Sequence, residues 1–265
     1  MFLIVPLVLT LFYQIQSSLI IFAPPLLAPN AHIEIGVDAA SVGIITSLIY
    51  LTSVLSAYFA GWLLTRISPK SLSHLCILLS SIGILIMSIP NPYIICLGAL
   101  IIGLGYGPIT PASSAILNEV TPNRIRALIF SIKQSGVPIG GAIAGILVPG
   151  FILISDWKAT IFLISFFGLV LISLSFLINF KVEKNISLEK KINFISPIIY
   201  VLQNKKLREL GFSSFTYSGM QMCLGSYLVL TLIQKYDFNL EKAGYFLSVA
   251  MIAGIVARPI AGIIS

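Results

Sequence analysis

Apolar residues occur in long runs along this chain, and polar residues are concentrated in the short segments between the runs. A helix of ~20 apolar residues is long enough to cross the ~30 Å hydrocarbon core of a bilayer. Such runs fall at 2–28, 40–65, 71–89, 92–117, 125–150, 158–180, 208–235 and 243–265. The pattern therefore predicts an all-α polytopic membrane protein with eight transmembrane helices.

Two of these runs repeat one pattern. A glycine opens and closes both 43–61 and 244–262, inside segments of very similar composition. Known solenoid repeats are much shorter, so this spacing indicates two large related halves. Because the second copy stops at Ser265, we expect a C-terminally truncated fragment. The predicted organisation is a six-helix bundle at 1–180, a cytoplasmic linker at 181–207, and the first two helices of an incomplete second bundle at 208–265.

Composition agrees with a membrane protein. Hydrophobic residues make up 57% of the chain and charged residues only 9%, whereas ordinary soluble domains contain about 25% charged residues. A water-soluble core does not account for these values. We therefore expect the lipid bilayer to be the main surroundings of the chain.

Lysine and arginine are concentrated in alternate connections. Twelve of the 16 basic residues lie on one side of the predicted topology, namely Arg66, Lys70, Arg124, Arg126, Lys133, Lys181, Lys184, Lys190, Lys191, Lys205, Lys206 and Arg208. The opposite connections hold Lys158, Lys235 and Lys242. Short loops rich in these residues stay in the cytoplasm, so both termini are predicted to be cytoplasmic, in a bacterial inner membrane. This topology explains the net charge of +7 without a nucleic-acid partner.

The chain carries no support for catalysis or metal binding. Cys76, Cys96 and Cys223 lie inside predicted spans at no metal-ligand spacing, and neither His32 nor His74 has a matching partner. Motifs such as H-E-x-x-H, G-x-S-x-G and the P-loop are absent. We therefore expect no enzyme activity, no cofactor and no metal.

The connection after the second span carries a motif similar to one in a known family. It reads Gly61-Trp62-Leu63-Leu64-Thr65-Arg66-Ile67-Ser68-Pro69-Lys70, and it resembles the G-x-L-a-D-r-x-G-r-k loop of the major facilitator superfamily of secondary transporters. Thr65 and Ser68 replace the usual aspartate and second glycine. The resemblance implies twelve helices in two bundles, a substrate site between the bundles, and alternating access. It also assigns conformational roles to Gly61, Arg66 and Lys70.

A second resemblance covers the fourth and fifth spans. Four residues here have a spacing similar to that of a series around the fifth helix of sugar porters, namely Glu119, Pro122, Arg126 and Gln134. In sugar porters the glutamine of this series faces the substrate cavity. The resemblance implies gating roles for Glu119 and Arg126. Arg258 resembles a common arginine near the cytoplasmic end of the family's eighth helix, and we expect it to have a structural role.

Glycines form two stripes on the fifth span. Gly136 and Gly140 share one helix face, and Gly141 and Gly145 share the adjacent stripe, which allows close helix contact in lipid. The fifth and eighth helices pack across the two halves in the resembled family. Two interpretations stay open: the stripes form the sliding surface of alternating access, or they form tight packing within one half.

Polar residues near the middle of spans are the candidate substrate contacts. Three pairs share helix faces by their spacing: Tyr13 with Gln16, Tyr106 with Thr110, and Tyr217 with Gln221. Buried glutamines are costly, which favours Gln134 and Gln221 as functional residues.

Lys133 lies ~10 Å inside the hydrocarbon region when it is counted along the helix from Arg126. Its side chain either snorkels toward the cytoplasm or faces a cavity. Since no Asp or Glu occupies the interior of any predicted span, a cation here beside Gln134 favours an anionic substrate. The chain is thus expected to be a monomeric carrier of a small solute, with a small organic anion as one candidate. The alternative is a truncated, transport-inactive partner in an assembly; the coupling mode stays open.

Overall fold

The computed structural model describes residues 3–178 and 195–264, and these residues are helical with no β-strand. Their ten helices are α1 Ile4–Ile35, α2 Val42–Arg66, α3 Pro69–Ile86, α4 Pro92–Val120, α5 Arg126–Gln134, α6 Gly136–Ile152, α7 Trp157–Leu177, α8 Ser196–Gln203, α9 Lys205–Tyr236 and α10 Leu240–Ile264. The predicted linker lies partly outside the described residues, as do Lys181, Lys184, Lys190 and Lys191. Its last part contains α8, with Pro197 in the first turn.

Most of the predicted spans appear as long helices. Within residues 3–178 and 195–264, seven helical segments are long and apolar enough to cross a membrane. The remaining predicted span forms α9, a helix of 32 residues that is less hydrophobic than the other seven. The all-α polytopic fold is therefore confirmed, with one span that is more polar than the sequence pattern predicts.

Two boundaries differ from the prediction. Helix α1 continues to Ile35 through Pro24, Pro25 and Pro29, although the predicted run ends at residue 28. Membrane helices tolerate such prolines because neighbouring helices and side chains satisfy the freed backbone groups. The predicted fifth span is interrupted at Ser135, which separates α5 from α6.

Several helix ends follow from capping residues that the sequence contains. The side chain of Asn91 accepts hydrogen bonds from the first turn of α4, and Asp156 accepts one from Ala159 N at 2.6 Å at the start of α7. Ser68, which replaces the family's glycine, caps α3 by accepting from Ser71 N at 3.1 Å. Gly36 ends α1 with φ of 76°, a left-handed conformation that favours glycine.

Following the division predicted from the sequence, we call helices α1 to α7 the first half and helices α9 and α10 the second half. In the first half, α4 packs against α2 and α3, and α1 packs against α6. The interior of α1 is fully buried at Ile20 and Leu26, whereas Phe162 of α7 is 56% exposed and Phe166 is 59% exposed. Large exposed apolar side chains on the outside agree with a lipid-facing surface.

The two halves meet along two lines of contact. Helix α10 packs along α6 and α5, and α9 contacts α1 and α2. The contacting part of α9 is its second portion, where Gly225, Ser226, Val229 and Leu230 are buried. A cleft lies between these two lines of contact.

Candidate functional site

The cleft between the halves is lined by α2, α4, α5 and α6 on one side and by α9 and α10 on the other. We call it the central cleft, and its polar lining includes Tyr50, Tyr106, Gln134, Gln221, Tyr227 and Arg258. Its volume is about 630 Å³, within the usual range for small-molecule sites. The cleft is therefore large enough for a small organic solute.

Arg258 is the one charged residue in the described lining of the central cleft. Its Nη1 atom donates a hydrogen bond to the main-chain carbonyl of Gln134. No Asp or Glu is among the lining residues that the structure describes. The cleft therefore combines one positive charge with neutral polar groups.

Two tyrosines form an aromatic wall of the cleft. The rings of Tyr50 and Tyr106 lie edge to face, with centroids 6.0 Å apart and an interplanar angle of 88°, a favoured geometry for aromatic pairs. The hydroxyl of Tyr50 is buried and makes no hydrogen bond of good geometry within the described residues. The hydroxyl faces Tyr106, so the two rings contribute mainly aromatic surface to this wall of the cleft.

Three of the eight predicted substrate contacts line the cleft: Tyr106, Gln134 and Gln221. Tyr217 is 60% exposed on α9 and is not part of the described lining. The other four, which are Tyr13, Gln16, Thr110 and Lys133, lie inside the first half. A role in substrate binding stays a prediction for all eight.

Tyr13 and Gln16 join α1 to α7 inside the first half. The hydroxyl of Tyr13 lies 2.6 Å from Ser175 Oγ, and His74 Nε2 lies 2.7 Å from the same oxygen. Gln16 Nε2 donates to the carbonyl of Ile164 at 2.8 Å. These hydrogen bonds cross-link helices within one half.

Lys133 is buried between α5 and α4, with 1% of its surface exposed. Its ammonium donates to the carbonyl of Thr110 at 3.3 Å and to Ser114 Oγ at 3.2 Å. Thr110 Oγ1 in turn donates to Gln14 Oε1 at 3.3 Å. Lys133 thus lies inside the first half, next in sequence to a residue that lines the cleft, and its side chain does not reach solvent.

The two glycine stripes contact different partners. A Cβ atom added to Gly140 would lie 2.5 Å from the carbonyl oxygen of Ile15 in α1, and one on Gly136 would lie 2.8 Å from Gln14 Cβ. A Cβ on Gly145 would lie 2.5 Å from the carbonyl of Gly244 in α10. The first stripe thus packs against α1 within the first half, and the second packs mainly against α10, with Gly141 also close to Phe22 of α1. A sliding role for the second stripe stays a prediction.

The contact of α5 and α6 with α10 forms a regular antiparallel line, which we call the seam. Along it, Gln134 faces Arg258, Pro138 faces Gly254, Gly141 faces Met251, and Gly145 faces Gly244 and Ser248. Ser248 Oγ also donates to the carbonyl of Ala142 at 2.8 Å. Small residues and main-chain carbonyls dominate this contact between the halves.

The predicted conformational residues of the first half lie near one end of the bundle. The guanidinium of Arg66 lies 4.5 Å from the ring centroid of Trp62, and Lys70 Nζ donates to the carbonyl of Ile178 at 2.8 Å. Lys70 therefore ties the α2–α3 connection to the end of α7. Glu119 and Arg126 are exposed, and a Cβ on Gly61 would meet no atom within 4 Å.

Sequence reasoning missed part of the cleft lining. Tyr50, Thr46 and Ser47 of α2 line the cleft, and Ser226 Oγ of α9 donates to Thr46 Oγ1 at 3.3 Å across the halves. Thr46 and Tyr50 are four residues apart, the same helical spacing as the predicted pairs. That spacing is the signal that would have identified them.

A helical bundle and two further long helices, which enclose a polar cleft within an apolar exterior, match part of a two-bundle membrane fold. The family model of the Major Facilitator Superfamily matches residues 7–265, and the chain belongs to this family.

Known relatives extend this result. The chain is 30% identical over 115 residues to the gentisate transporter of Corynebacterium glutamicum, covering 43% of this chain and 26% of the relative. It is 24% identical over 175 residues to the hexuronate transporter of Bacillus subtilis, covering 63% of this chain and 41% of the relative.

A solved structure shows the same fold. A bacterial homologue of the human lysosomal transporter Spinster, in an inward-facing and unoccupied conformation, superposes with a TM-score of 0.69 at 16% identity and matches 95% of this chain. The match covers 59% of that structure. The chain therefore spans well under two thirds of the length of these relatives.

Proposed function

We propose that this protein moves a small organic anion across the membrane by alternating access, with the central cleft as the substrate site. The observation that carries the proposal is the charge of the cleft. Arg258 supplies a single cation, and the described lining contains no carboxylate to neutralise it. Within a low-dielectric membrane domain such a charge attracts an anion strongly.

The neutral groups of the cleft suit the rest of such a substrate. Tyr50 and Tyr106 supply aromatic surface with hydroxyl groups, and Gln134 and Gln221 supply amides that both donate and accept hydrogen bonds. Gentisate and hexuronates, which two relatives are named for, both carry a carboxylate and several hydroxyl groups. A hydroxylated carboxylate matches this combination of one cation, amides and hydroxyls.

Lys133 adds to the proposed anion attraction from within the first half. Its ammonium is bonded to two neutral oxygen atoms and to no carboxylate within the described residues. Its positive charge is therefore not cancelled locally, and it adjoins Gln134 in the chain. We expect Lys133 to raise the positive potential of the cleft without contacting the substrate in this conformation.

The arrangement of the halves favours a cleft that is open on the cytoplasmic side. Helix α9 contacts the first half where Phe22 meets Gly225 and where Thr46 meets Ser226, toward the end of α9 that the positive-inside rule predicts to lie outside the cell. Phe215 and Ser218, nearer the start of α9, line the cleft. The positive-inside rule predicts that this start lies in the cytoplasm.

Cys223 offers a native probe of this proposal. It is an exposed thiol that lines the cleft, whereas Cys76 is buried. With Cys96 replaced by serine, an impermeant maleimide should label Cys223 in inside-out vesicles faster than in intact cells. Faster labelling in intact cells would contradict the proposed orientation. A cysteine at Ile35 is the matched external control, and Asn123 is the corresponding cytoplasmic position.

Direct binding tests the substrate class. We expect the purified full-length protein in lipid nanodiscs to bind gentisate or glucuronate in isothermal titration calorimetry, and to bind choline, a cation of similar size, much more weakly. Counterflow of the radiolabelled anion in liposomes then tests transport. Binding of choline without binding of either anion would refute the proposal.

A further inference from the structure

The main-chain carbonyl of Gln134 is left without its usual helical partner. In a continuous helix this oxygen would accept a hydrogen bond from the N–H of the residue four positions later. That residue is Pro138, which has no N–H group. The sequence therefore creates a free carbonyl at the junction of α5 and α6, on the wall of the central cleft.

Arg258 from the opposite half is the hydrogen-bond partner of this carbonyl. The guanidinium reaches from α10 across the seam and donates one hydrogen bond to Gln134 O. It makes no other hydrogen bond within the described residues, although a guanidinium has five N–H donors. Arg258 thus has unused donors, and it stands in the lining of the cleft.

A carboxylate is a better partner for this guanidinium than a carbonyl. A carboxylate adds its own negative charge to the interaction, and arginine binds carboxylates through two parallel N–H groups, whereas the single carbonyl of Gln134 accepts one hydrogen bond from Arg258. A substrate anion that enters the cleft therefore competes with Gln134 O for Arg258. The single hydrogen bond to Gln134 O orients the Arg258 side chain, and a carboxylate that offers two acceptor oxygens can replace it.

Resting on the proposed function, we propose that Arg258 is a substrate-binding residue that exchanges the Gln134 carbonyl for the carboxylate of the substrate. The carbonyl freed by Pro138 is the resting partner of Arg258 in the empty cleft. Exchange removes the hydrogen bond at one end of the seam, while the Ser248 hydrogen bond to Ala142 O remains further along it. Anion binding thereby loosens one end of the contact between the halves.

The exchange predicts opposite effects for two variants on the same line of contact. Replacing Pro138 with alanine supplies an N–H that can occupy Gln134 O, so Arg258 loses its resting partner and becomes available to the anion. Since apparent affinity scales with the fraction of binding-competent protein, Pro138→Ala should tighten gentisate or glucuronate binding about fivefold. Arg258→Gln removes the guanidinium and should weaken binding at least about tenfold.

The chain contains a matched control for the proline variant. Pro149 also lies in α6 and also packs on a glycine of α10, because a Cβ on Gly244 would lie 2.6 Å from Pro149 Cγ. Its replacement by alanine removes a proline from the same seam without affecting the partner of Arg258. Pro149→Ala should therefore leave the affinity unchanged.

The experiment compares the dissociation constants of wild type, Pro138→Ala, Pro149→Ala, Arg258→Gln and Arg258→Lys for gentisate and glucuronate. The proteins are full-length and in nanodiscs, and size-exclusion profiles confirm folding. Arg258→Lys keeps the charge but loses the two-pronged geometry, so it should bind more weakly than wild type and more tightly than Arg258→Gln. It serves in place of Arg258→Gln if that variant does not fold.

The outcomes separate this inference from the proposed function. Tighter binding by Pro138→Ala, together with weaker binding by the Arg258 variants, supports the exchange. Weaker or unchanged binding by Pro138→Ala overturns it, even if the wild type binds anions well. Failure of the wild type to bind either anion would instead overturn the anion proposal from which the inference starts.

Discussion

The interior of the first half and the seam between the halves are built from different kinds of contact. Inside the first half, side chains reach from one helix to another, as in the contact of Tyr13 with Ser175 and the hydrogen bonds from Lys133 to α4. At the seam, glycines and two prolines bring helices together, and main-chain carbonyls accept the hydrogen bonds.

This difference predicts that the first half is rigid and that the seam can adjust. A hydrogen bond between two specific side chains is lost when either helix shifts, so several such bonds hold α1, α4, α5 and α7 as a unit. A surface of small residues lets helices approach closely and presents similar backbone along its length. We therefore expect the first half to move as a body and the seam to adjust.

The adjacent glycine stripes of α6 give the strongest test of this comparison. Gly140→Val places bulk against the carbonyl of Ile15, and overpacking of this kind costs about 3 kcal/mol. Gly145→Val places the same bulk against Gly244 in the other half. We expect the first variant to lower the thermal unfolding midpoint by several degrees, and the second to leave it nearly unchanged while abolishing most anion counterflow.

Intrinsic tryptophan fluorescence during heating measures the midpoint, and Gly150→Val is a control on the same helix because a Cβ at Gly150 meets no atom within 4 Å. Equal loss of stability in Gly140→Val and Gly145→Val would show that the seam is as rigid as the interior. The comparison would then fail.

Variants of Lys133 test whether a residue inside the first half also contributes to anion binding in the cleft. Lys133→Gln removes a charge that is not cancelled locally, and at an effective dielectric constant of about 20 a loss of about 1 kcal/mol is expected, or about a fivefold weaker anion affinity. Lys133→Arg should retain part of the affinity because the charge persists. Calorimetry with gentisate or glucuronate measures both variants.

If Lys133→Gln binds the anion as tightly as wild type, Lys133 serves only the contact between α5 and α4. A loss of affinity larger than that of Arg258→Gln would have a different meaning. It would indicate that the ammonium leaves Thr110 and Ser114 to contact the substrate directly.

The sequence predicts the fold well because its signal is strong and local. Long apolar runs specify the helices, and the spacing of Gly136, Gly140, Gly141 and Gly145 correctly indicates two contact stripes. Helical periodicity also places Tyr106 on a face that lines the cleft. These features depend on one helix at a time.

The missed features depend on pairs of helices. Tyr13 and Gln16 share a face as predicted, but that face meets α7 inside the first half, and periodicity does not distinguish the interior of a half from the cleft between halves. The partner of Arg258 is hidden for another reason. It is a main-chain carbonyl, which can be identified only from two facts together: Pro138 lacks the N–H that would bond it, and α10 lies beside it.

Tyr13 provides a smaller test of rigidity within the first half. Tyr13→Phe removes a buried hydroxyl that contacts Ser175 Oγ, and loss of such a hydrogen bond costs about 1 kcal/mol. We expect a lower thermal midpoint and unchanged anion affinity, because neither residue is in the described cleft lining. A weaker affinity in a variant of normal stability would show that Tyr13 contacts the substrate, as its sequence position first suggested.

The smallest effects should come from two serines that make the same kind of bond in different regions. Ser165 Oγ donates to the carbonyl of Ser81 at 3.1 Å inside the first half, and Ser248 Oγ donates to Ala142 O at 2.8 Å across the seam. Interhelical hydrogen bonds in membranes average about 0.6 kcal/mol.

Ser165→Ala should therefore lower the thermal midpoint slightly and leave the rate of Cys223 labelling by maleimide unchanged. Ser248→Ala should change that rate by about threefold at an unchanged midpoint, because its hydrogen bond joins bodies that move. If the two variants shift the same quantity by the same amount, the seam and the interior respond alike, and the division of the molecule into a rigid half and an adjustable contact is wrong.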